Sequence, residues 1–409
     1  MSELKEKDFV VEPERTIPVV CRADVIVCGG GPAGVCAAVA AARQGAKTVL
    51  LERGGALGGI MTSGLMSNII DSEGRHGLIR EIIDDLIRMG AKGDRLVFDV
   101  EITKYYLEQL CRKAGVEIRL HTGVTAGICD SEAQLRTVIT ESKSGREAWQ
   151  AKVFIDATGD GDLAARSGCR WESGRPENGF RQAMSFCALL YGVKANSIQE
   201  LLRIENDDGK RNLRELLTRH GCTPSYGQPT LFRLGPESYL LMSNHQYGAS
   251  PLDAAEVTQA TLDARQELYQ QLQCLKQNDP RFTDARFGAT ADYIGIREAR
   301  RIRGLYQVTC EDLIAGRRHA DAVCRMRFDV DVHATSRELH TGYSTEGCHV
   351  KPYDIPLRAL IAADVKGLMM AGRCISGDFY AHASYRVIGG AMPMGEAAGK
   401  CAALAARLN

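Results

Sequence analysis

Three glycines and one acidic residue near the amino terminus have the types and spacing of a site for a phosphate-containing cofactor. Gly29, Gly31 and Gly34 follow a G-x-G-x-x-G pattern, and Glu52 comes at the end of the next apolar segment. In this pattern the first glycine permits a tight turn, the second lets the backbone approach a pyrophosphate, and the third lets a helix pack on a strand. The acid accepts hydrogen bonds from ribose hydroxyls. The sequence therefore predicts binding of an adenosine diphosphate moiety.

The elements that must position these residues are a strand, a helix and a second strand. The β-branched residues 25–27 predict a buried parallel strand that ends at Cys28. A helix is predicted over residues 35–43, with Pro32 at a tolerated early position and Gly45 as its stop. Residues 48–51 predict the second strand. In this arrangement the amino terminus of the helix directs its N–H groups and its positive dipole end at the phosphates.

Three further segments resemble parts of known flavoproteins. Gly54, Gly55, Gly58 and Gly59 form a second glycine-rich loop after the ribose acid. Residues 151–161 read as a core strand that ends in A-T-G, and residues 368–371 read as a second short strand broken by Gly372. A loop with a Gly-Gly pair follows, and a helix is predicted over residues 394–408, directly after a proline.

Four longer stretches carry the family resemblance: VFDVEITKYYLEQL, KVFIDATGDGDLAARSG, GIREARRIRG and LMMAGRCISGDFYAHASYRVIGGAMPMGEAAG. They resemble the broad FAD-dependent oxidoreductase family of the glutathione-reductase-like superfamily, with heterodisulfide reductase A as a distant relative. The resemblance implies FAD as cofactor. The chain departs from the superfamily at Gly372-Arg373, where most members carry Gly-Asp to hold the ribityl chain, and an acid follows only at Asp378.

The motif and the resemblance together predict the residues that contact FAD. They are Gly29, Gly31, Pro32, Ala33, Gly34, Glu52, Arg53, Gly58, Gly59, Thr62, Ser63, Val124, Ala157, Thr158, Gly159, Gly372, Arg373, Gly390 and Met392. The last helix of such flavoproteins points its amino terminus at the flavin, where its dipole stabilises the reduced form.

The predicted fold class is α/β. A Rossmann-like FAD/NAD(P)-binding domain with a parallel sheet is expected over residues 20–168 and 354–409, and a β-rich α+β substrate or cap domain over residues 169–353. Within the insertion, residues 186–192 and 237–243 predict strands, and residues 253–277 predict one long amphipathic helix. Residues 76–89 and 101–114 predict helices of the first domain, and residues 119–130 and 136–150 predict a hairpin.

Candidate catalytic residues lie between the last strand and the last helix, in a segment predicted to be a loop. His382 is the candidate general base, because an imidazole titrates near working pH. Arg386 would hold a carboxylate or a developing oxyanion. Each has a structural alternative, a hydrogen bond within the loop for His382 and an internal salt bridge for Arg386. Tyr385 or Arg386 would donate a proton if hydride flowed in the opposite direction.

Two other polar clusters stand out. The first is Arg297 and Arg301, which would share one face of a helix at i, i+4 spacing, with Glu298 and Arg300 beside them. Arg297 is the member predicted to face the site. The second is a stretch that contains His333, His340, Tyr343 and His349, where no spacing supports metal ligation, so no metal is expected.

Composition limits the classes of function. Lys+Arg and Asp+Glu both number 51, so there is no electrostatic reason to expect nucleic acid or an anionic membrane as a partner. No apolar run approaches the length of a membrane span, and the charged amino terminus is unlike a secretion signal. None of the 14 cysteines forms a C-x-x-C pair, so buried reduced thiols and a cytoplasmic location are expected. Cys374 is the one cysteine considered for a redox or covalent role, because its segment is expected near the flavin.

The predicted function is that of an FAD-dependent dehydrogenase or oxidase. Hydride would pass between a small polar substrate, such as a sugar, a polyol or a hydroxy acid, and flavin N5, with electrons going on to an unidentified acceptor. The alternatives are a flavin-dependent reductase of a double bond and a non-catalytic FAD- or ADP-binding module. A thiazole-synthase-like reaction is disfavoured because no Cys-His pair is evident. Assembly into a homo-oligomer stays open.

Overall fold

The computed structural model describes residues 10–203, 208–338 and 342–408. The strands are β1 Val19–Cys28, β2 Thr48–Leu51, β3 Glu117–Arg119, β4 Gly123–Cys129, β5 Leu135–Ser142, β6 Gly145–Asp156, β7 Trp171–Glu172, β8 Cys187–Tyr191, β9 Thr230–Gly235, β10 Ser238–Met242, β11 Arg286–Thr290, β12 Arg301–Ile302, β13 Ala322–Met326, β14 Val332–His333, β15 Tyr343–Ser344, β16 Tyr353–Pro356 and β17 Leu368–Met370. The helices are α1 Pro32–Arg43, α2 Leu78–Arg88, α3 Val100–Lys113, α4 Asp162–Arg166, α5 Asp208–Arg219, α6 Ala254–Asn278, α7 Cys310–Ala315, α8 Phe379–Tyr385 and α9 Ile388–Leu408.

The main sheet carries the glycine fingerprint at its centre. Its strand order is β3-β2-β1-β6-β5-β4, and β17 pairs with the second half of β6. Strands β1, β2, β3, β6 and β17 run parallel to one another, whereas β5 pairs antiparallel with β6 and with β4. The apolar run predicted for a buried strand is fully buried in β1. These features confirm the Rossmann-like α/β fold.

Helices α1 and α9 pack closely because glycines of α9 face α1. A Cβ atom at Gly395 would lie 2.0 Å from the carbonyl oxygen of Ala33, and one at Gly399 would lie 2.1 Å from that of Ala37. Larger side chains would force the helices apart. This contact places the middle of α9, around Gly395, beside the first turn of α1.

The β-rich insertion is also confirmed. Strands β11, β8, β10 and β9 form a separate antiparallel sheet, in that order. Helices α5 and α6 contribute apolar residues to a second hydrophobic core together with this sheet. Apolar residues between Ile302 and Cys348 pack instead into the first core, so the exact division of the chain into domains stays a prediction.

Local structure differs from the sequence-based expectation in four places. Helix α9 begins at Ile388, so Pro393 lies inside it rather than at its start. Helix α8 occupies the predicted loop, where the side chain of its N-cap Asp378 accepts a hydrogen bond from the Ala381 N–H over 2.7 Å. Residues 297–300 are not helical. The predicted hairpin is a three-stranded β4-β5-β6 meander instead.

Within the described ranges, no helix is both long and apolar enough to cross a membrane. Residues 10–18, which precede β1, form neither a helix nor a strand, and residues 1–9 lie outside the described part of the chain.

Candidate functional site

A first cavity of about 240 Å³ lies at the carboxyl ends of the parallel strands. This is where open α/β sheets bind their ligands. Thirteen of the predicted cofactor residues line it: Gly29, Gly31, Pro32, Ala33, Glu52, Arg53, Gly59, Val124, Ala157, Thr158, Gly159, Gly372 and Arg373. The structure therefore brings together segments from both halves of the predicted discontinuous domain.

The glycines of the fingerprint have different structural roles. Gly29 has φ +102°, and a Cβ atom there would lie 2.4 Å from the carbonyl oxygen of Ala157. A Cβ atom at Gly34 would lie 1.8 Å from the carbonyl oxygen of Gly29, so the absence of a side chain at Gly34 allows α1 to pack closely against the end of β1. The Cβ position of Gly31, by contrast, has no other atom within 4 Å and is open. Only the second glycine thus keeps space free for a ligand.

Glu52 is fixed at the end of β2 by backbone donors. Its Oε2 atom accepts a hydrogen bond from the Gly30 N–H, and its Oε1 atom accepts one from the Gly54 N–H, both over 2.6 Å. These bonds tie the second glycine-rich loop to the first. The carboxylate retains further lone pairs for ribose hydroxyls.

Buried Asp156 shapes the turn after β6. Its carboxylate accepts hydrogen bonds from the Thr158 N–H and hydroxyl over 3.0 and 2.7 Å and from the Ala164 N–H over 2.8 Å. Burial raises the pKa of Asp156, although these hydrogen bonds oppose the shift. The Asp156 carboxylate therefore fixes the turn that places Ala157, Thr158 and Gly159 at the cavity.

Six predicted cofactor residues lie behind the cavity wall rather than in it: Gly34, Gly58, Thr62, Ser63, Gly390 and Met392. The Gly58 N–H donates to the Gly30 carbonyl over 2.8 Å, and the Thr62 hydroxyl donates to the Leu57 carbonyl over 2.6 Å. Met392 is fully buried. These residues hold the two glycine-rich loops and α9 in place.

The sequence reasoning missed several residues of the first cavity, among them Ile60, Thr122, Asp160, Asp162, Arg166 and Tyr293. Asp160 explains the departure at Gly372-Arg373, because Arg373 forms an ion pair with its carboxylate. At the position after Gly372, where most members carry an acid, this chain has Arg373, and its carboxylate partner Asp160 lies in the turn after β6. The second aspartate of the quoted DATGDGD segment was the available signal.

A second cavity of about 740 Å³ adjoins the first. The two cavities share Ile60, Ile296, Arg373, Arg386 and Ile388. The second cavity lies between the insertion and the nucleotide-binding part of the chain, since it is lined by Cys187 of β8 and Met242 of β10 as well as by Ile60 and by Ile388 of α9. Its volume is typical of a site for a small organic molecule.

Arg297 and Arg386, two of the predicted catalytic residues, both line this second cavity, and their roles stay predictions. Arg386 donates from Nη2 to the Asp331 carboxylate over 3.1 Å and to the Asp331 carbonyl over 2.9 Å, and its buried Nε atom lacks a hydrogen-bond partner within the described residues. Arg297 donates from Nη1 to the Ala183 carbonyl over 2.6 Å. Burial, together with the neighbouring Arg386, lowers the pKa of Arg297 to about 10.

A chain of hydrogen-bonding side chains leads away from the same cavity. His333 lies with Nε2 3.2 Å from the Asp331 carboxylate and with Nδ1 2.9 Å from Nε2 of His245. The Nδ1 atom of His245 lies 3.2 Å from the Tyr247 hydroxyl. His333 was singled out from the sequence only as a doubtful metal ligand, and its partners were missed because they come from distant segments.

The other predicted catalytic residues lie elsewhere. His382 is 1% exposed in α8, and neither cavity is lined by it. Burial lowers the pKa of His382 well below its usual range. Tyr385 is fully buried and donates to the Ile375 carbonyl over 2.9 Å. The roles of His382 as base and Tyr385 as proton donor stay predictions that this placement does not support.

The prediction that Arg297 and Arg301 share one face of a helix is wrong, because tertiary contacts separate the two side chains. Arg301 begins β12 and pairs with buried Glu298, while it donates to the carbonyls of Gly174 and Gly377, each over 3.1 Å. Arg300 instead pairs with Asp162 over 2.9 Å. The local i, i+4 pattern is therefore overridden by partners far along the chain.

Residues 10–203, 208–338 and 342–408 contain no cluster of three or more His, Cys, Asp or Glu side chains that could hold a metal ion. His349 is exposed and lies 3.7 Å from Asp329. His340 lies outside the described residues.

The fold and the two joined cavities define a protein of the Rossmann-like flavoenzyme class. Residues 24–409 match the family of FAD dependent oxidoreductases, and the chain belongs to this family. Its cofactor is accordingly FAD, for which the open position at Gly31 and the acceptor at Glu52 provide a fitting cradle. The finer likeness to heterodisulfide reductase A stays an expectation.

Solved structures show a similar fold at low sequence identity. A triple mutant of the flavin-dependent brominase Bmp2 superposes with a TM-score of 0.50 at 13% identity over 95% of this chain and 81% of that one. A geranylgeranyl bacteriochlorophyll reductase-like protein from Thermoplasma acidophilum gives 0.43 at 15% identity over 94% and 77%. The p-nitrophenol 4-monooxygenase PnpA from Pseudomonas putida gives 0.44 at 14% over 70% of each chain. No curated protein matches the chain.

Proposed function

We propose that the protein oxidises a hydroxylated organic substrate in the second cavity, with FAD in the first cavity as the immediate acceptor. The observation that supports this proposal is the shared boundary of the two cavities, which has five residues in common. FAD, when bound, supplies a group that accepts a hydride and passes its electrons to a further acceptor. A substrate in the second cavity and a cofactor in the first would meet at that boundary.

The chain's own residues would bind and orient the cofactor from three sides. Gly31 leaves room at the start of α1, Glu52 accepts from ribose hydroxyls, and the turn after β6 lies opposite them. Ile388 and Ala391 of α9 also line the first cavity, so the positive end of this helix dipole borders it. Negative charge that develops on the cofactor during reduction would be stabilised there.

The boundary residues would also exclude water from the reacting groups. Ile60, Ile296 and Ile388 are apolar, and they lie between the two cavities. Arg373 and Arg386, each paired with an aspartate, lie at the same boundary, where their remaining N–H groups could donate to a group that gains negative charge. Exclusion of water and these donors would suit hydride transfer to the cofactor, and the proposed substrate types are those predicted from the sequence, namely a sugar, a polyol or a hydroxy acid.

The test is anaerobic reduction of the FAD-loaded protein by a panel of sugars, polyols and hydroxy acids. Loss of the visible flavin absorption band would identify the substrate type. The variant Met242→Trp fills part of the second cavity without touching the first, so it should retain FAD but be reduced at least tenfold more slowly. Leu262→Trp, at an exposed position of α6, is the matched control and should behave like the original protein.

Three results would overturn this proposal. If Met242→Trp were reduced at the original rate, the second cavity would not be the substrate site. If NADH or NADPH bleached the flavin and an activated double bond restored it, while the panel did nothing, the protein would be a reductase. A protein that binds FAD but resists every substrate and chemical reductant would be a non-catalytic binding module.

A further inference from the structure

We infer that the second cavity takes an amphipathic carboxylic acid, whose carboxylate binds Arg297 and whose apolar body fills the remaining space. This inference rests on the proposed function, because it assigns a substrate class to the same cavity. Three features of the cavity wall support it: the balance of charges, the partners of Arg297 and Arg386, and the number of apolar residues.

The described residues of the cavity wall carry more positive than negative charge. Six arginines line the cavity, namely Arg95, Arg203, Arg297, Arg327, Arg373 and Arg386, against the four acids Asp71, Glu73, Asp329 and Asp331. Burial, reinforced by the charge of Arg297, lowers the pKa of His333 to about 4, so His333 adds no positive charge at neutral pH. A wall of this kind favours an anionic ligand.

Part of this excess charge can be assigned to Arg297. Asp331 pairs with Arg386 over 3.1 Å, and Asp160 pairs with Arg373. Arg297 forms no ion pair within the described residues: it donates to the Ala183 carbonyl, and the nearby Asp331, which is already paired with Arg386, compensates its charge only in part. Since the pKa of Arg297 stays near 10, the side chain is charged at neutral pH. A partly buried guanidinium without an ion-pair partner of its own is costly, and a ligand carboxylate would compensate it.

One guanidinium without an ion-pair partner of its own fits a monoanion better than a dianion such as a phosphate monoester. Arg386 lies close enough to lower the pKa of Arg297, so a carboxylate at Arg297 would also relieve the repulsion between the two guanidinium groups. The planar guanidinium binds both oxygens of a carboxylate at once. The geometry thus favours one carboxylate at the inner end of the cavity.

The rest of the wall is largely apolar. Its apolar members are Ile60, Met66, Ile69, Ile70, Leu96, Phe232, Met242, Ile296, Phe328, Val330, Val387 and Ile388. A ligand with many hydroxyl groups would leave hydrogen bonds unmade against such surfaces. Among the three expected substrate types, these surfaces favour a hydroxy acid with a sizeable apolar body over a sugar or a polyol.

The experiment compares a carboxylate with its neutral analogue on the FAD-loaded protein. The probes are 4-phenylbutyrate and 4-phenylbutanol, and binding is followed by calorimetry and by the change in the flavin spectrum. The carboxylate should bind the original protein about tenfold or more tightly than the alcohol. Arg297→Gln should abolish this preference by weakening only carboxylate binding, and Arg297→Lys should restore part of it, because lysine keeps the charge but lacks the fork.

Arg214→Gln is the matched control. It removes the same charge from an exposed position of α5 in the insertion, and Arg214 lines neither cavity. Its effect on carboxylate binding should stay within about threefold, because exposed charges contribute little. FAD content is measured for every variant. Arg297 lines only the second cavity, so its variants should retain the cofactor.

Equal binding of the acid and the alcohol to the original protein would overturn the inference, as would an unchanged preference in Arg297→Gln. Both results concern binding and leave the proposed oxidation in the second cavity standing. Failure of the whole panel to reduce the flavin would refute the proposed function instead, while the preference for the carboxylate could still be measured.

Discussion

His333 and His245 face each other through their ring nitrogens, with Nδ1 of His333 2.9 Å from Nε2 of His245. On its other side His333 approaches Asp331, and Arg297, Arg386, Tyr226 and Tyr343 surround it. The imidazole is thus buried between one carboxylate and two guanidinium groups. Its protonation is coupled to folding.

We predict that His333 makes stability fall as the solution becomes acidic. Burial and Arg297 lower the pKa of His333 to about 4, and Asp331 only partly opposes them. An unfolded histidine has a pKa of about 6.5. Between about pH 6.5 and pH 4 the unfolded chain binds a proton here that the folded chain does not, so the free energy of unfolding decreases as pH falls through this window.

Replacement of His333 by Asn should flatten this dependence by up to about 1.4 kcal/mol per pH unit, the value for one proton. Urea unfolding at a series of pH values between 7 and 4 measures the slope. His349→Asn removes an exposed histidine and should keep the original slope. If His333→Asn changed only the height of the curve and not its slope, the coupling would be refuted.

The two glycines at the start of α1 should respond differently to substitution. Residue 29 has φ +102°, and Gly29→Ala would place a Cβ atom 2.4 Å from the Ala157 carbonyl oxygen. The substitution should therefore lower the free energy of unfolding by about 1–3 kcal/mol or more. Gly31→Val meets open space, so the protein should fold normally but bind FAD about tenfold more weakly or worse, because the pyrophosphate can no longer approach the backbone.

Thermal unfolding of the cofactor-free variants and titration with FAD separate the two effects. Gly145→Ala is a control for glycine replacement at positive φ far from the cavities, with no atom near its Cβ position. An unstable Gly31→Val protein, or one that binds FAD normally, would mean that the open space at Gly31 does not belong to the cofactor.

The fingerprint could be predicted from the sequence because each of its contacts is local. Residues 24–52 contain the strand, turn, helix, second strand and acid in consecutive order, and the predicted strand β2 matches its observed bounds. The polar residues of the second cavity had no such signal. Arg297, Asp331 and His333 depend on partners from Ala183, Arg386 and His245, which no short pattern connects.

The segment around Arg301 shows why a local pattern misleads. Its charges have helical spacing, but Glu298 accepts hydrogen bonds from the backbone of Gly174 and Gln182, more than a hundred residues away. Those buried bonds outweigh the few tenths of a kcal/mol that an i, i+4 pair offers. The same holds for α8, whose N-cap Asp378 also accepts from the Cys310 N–H over 2.7 Å.

We predict that breaking the Glu298 and Arg301 ion pair is strongly destabilising. Both side chains are almost fully buried. Arg301→Gln would leave the Glu298 carboxylate without its partner, at a cost of about 3–5 kcal/mol. Lys400→Gln breaks the exposed pair with Glu396 on α9 and should cost at most about 1 kcal/mol. Equal urea midpoints for the two variants would show that the buried pair does not hold the segment.

Cys374 should be inert, contrary to the redox or covalent role considered from the sequence. Burial raises the pKa of the Cys374 thiol well above its usual range, and Asp156 raises it further. Its Sγ atom lies 3.5 Å from the Asp156 carbonyl, and it lines neither cavity. A thiol that is neither ionised nor accessible is a poor nucleophile.

Native protein treated with iodoacetamide should therefore carry no label at Cys374, whereas protein unfolded in urea should be labelled there, as mass spectrometry of peptides can measure. Cys374→Ala should retain FAD and its rate of reduction within about threefold, since a conservative change behind the cavity wall removes no contact with the cofactor. Denatured protein should also release FAD freely. Rapid native labelling, or loss of flavin reduction in Cys374→Ala, would instead assign this thiol to the reaction.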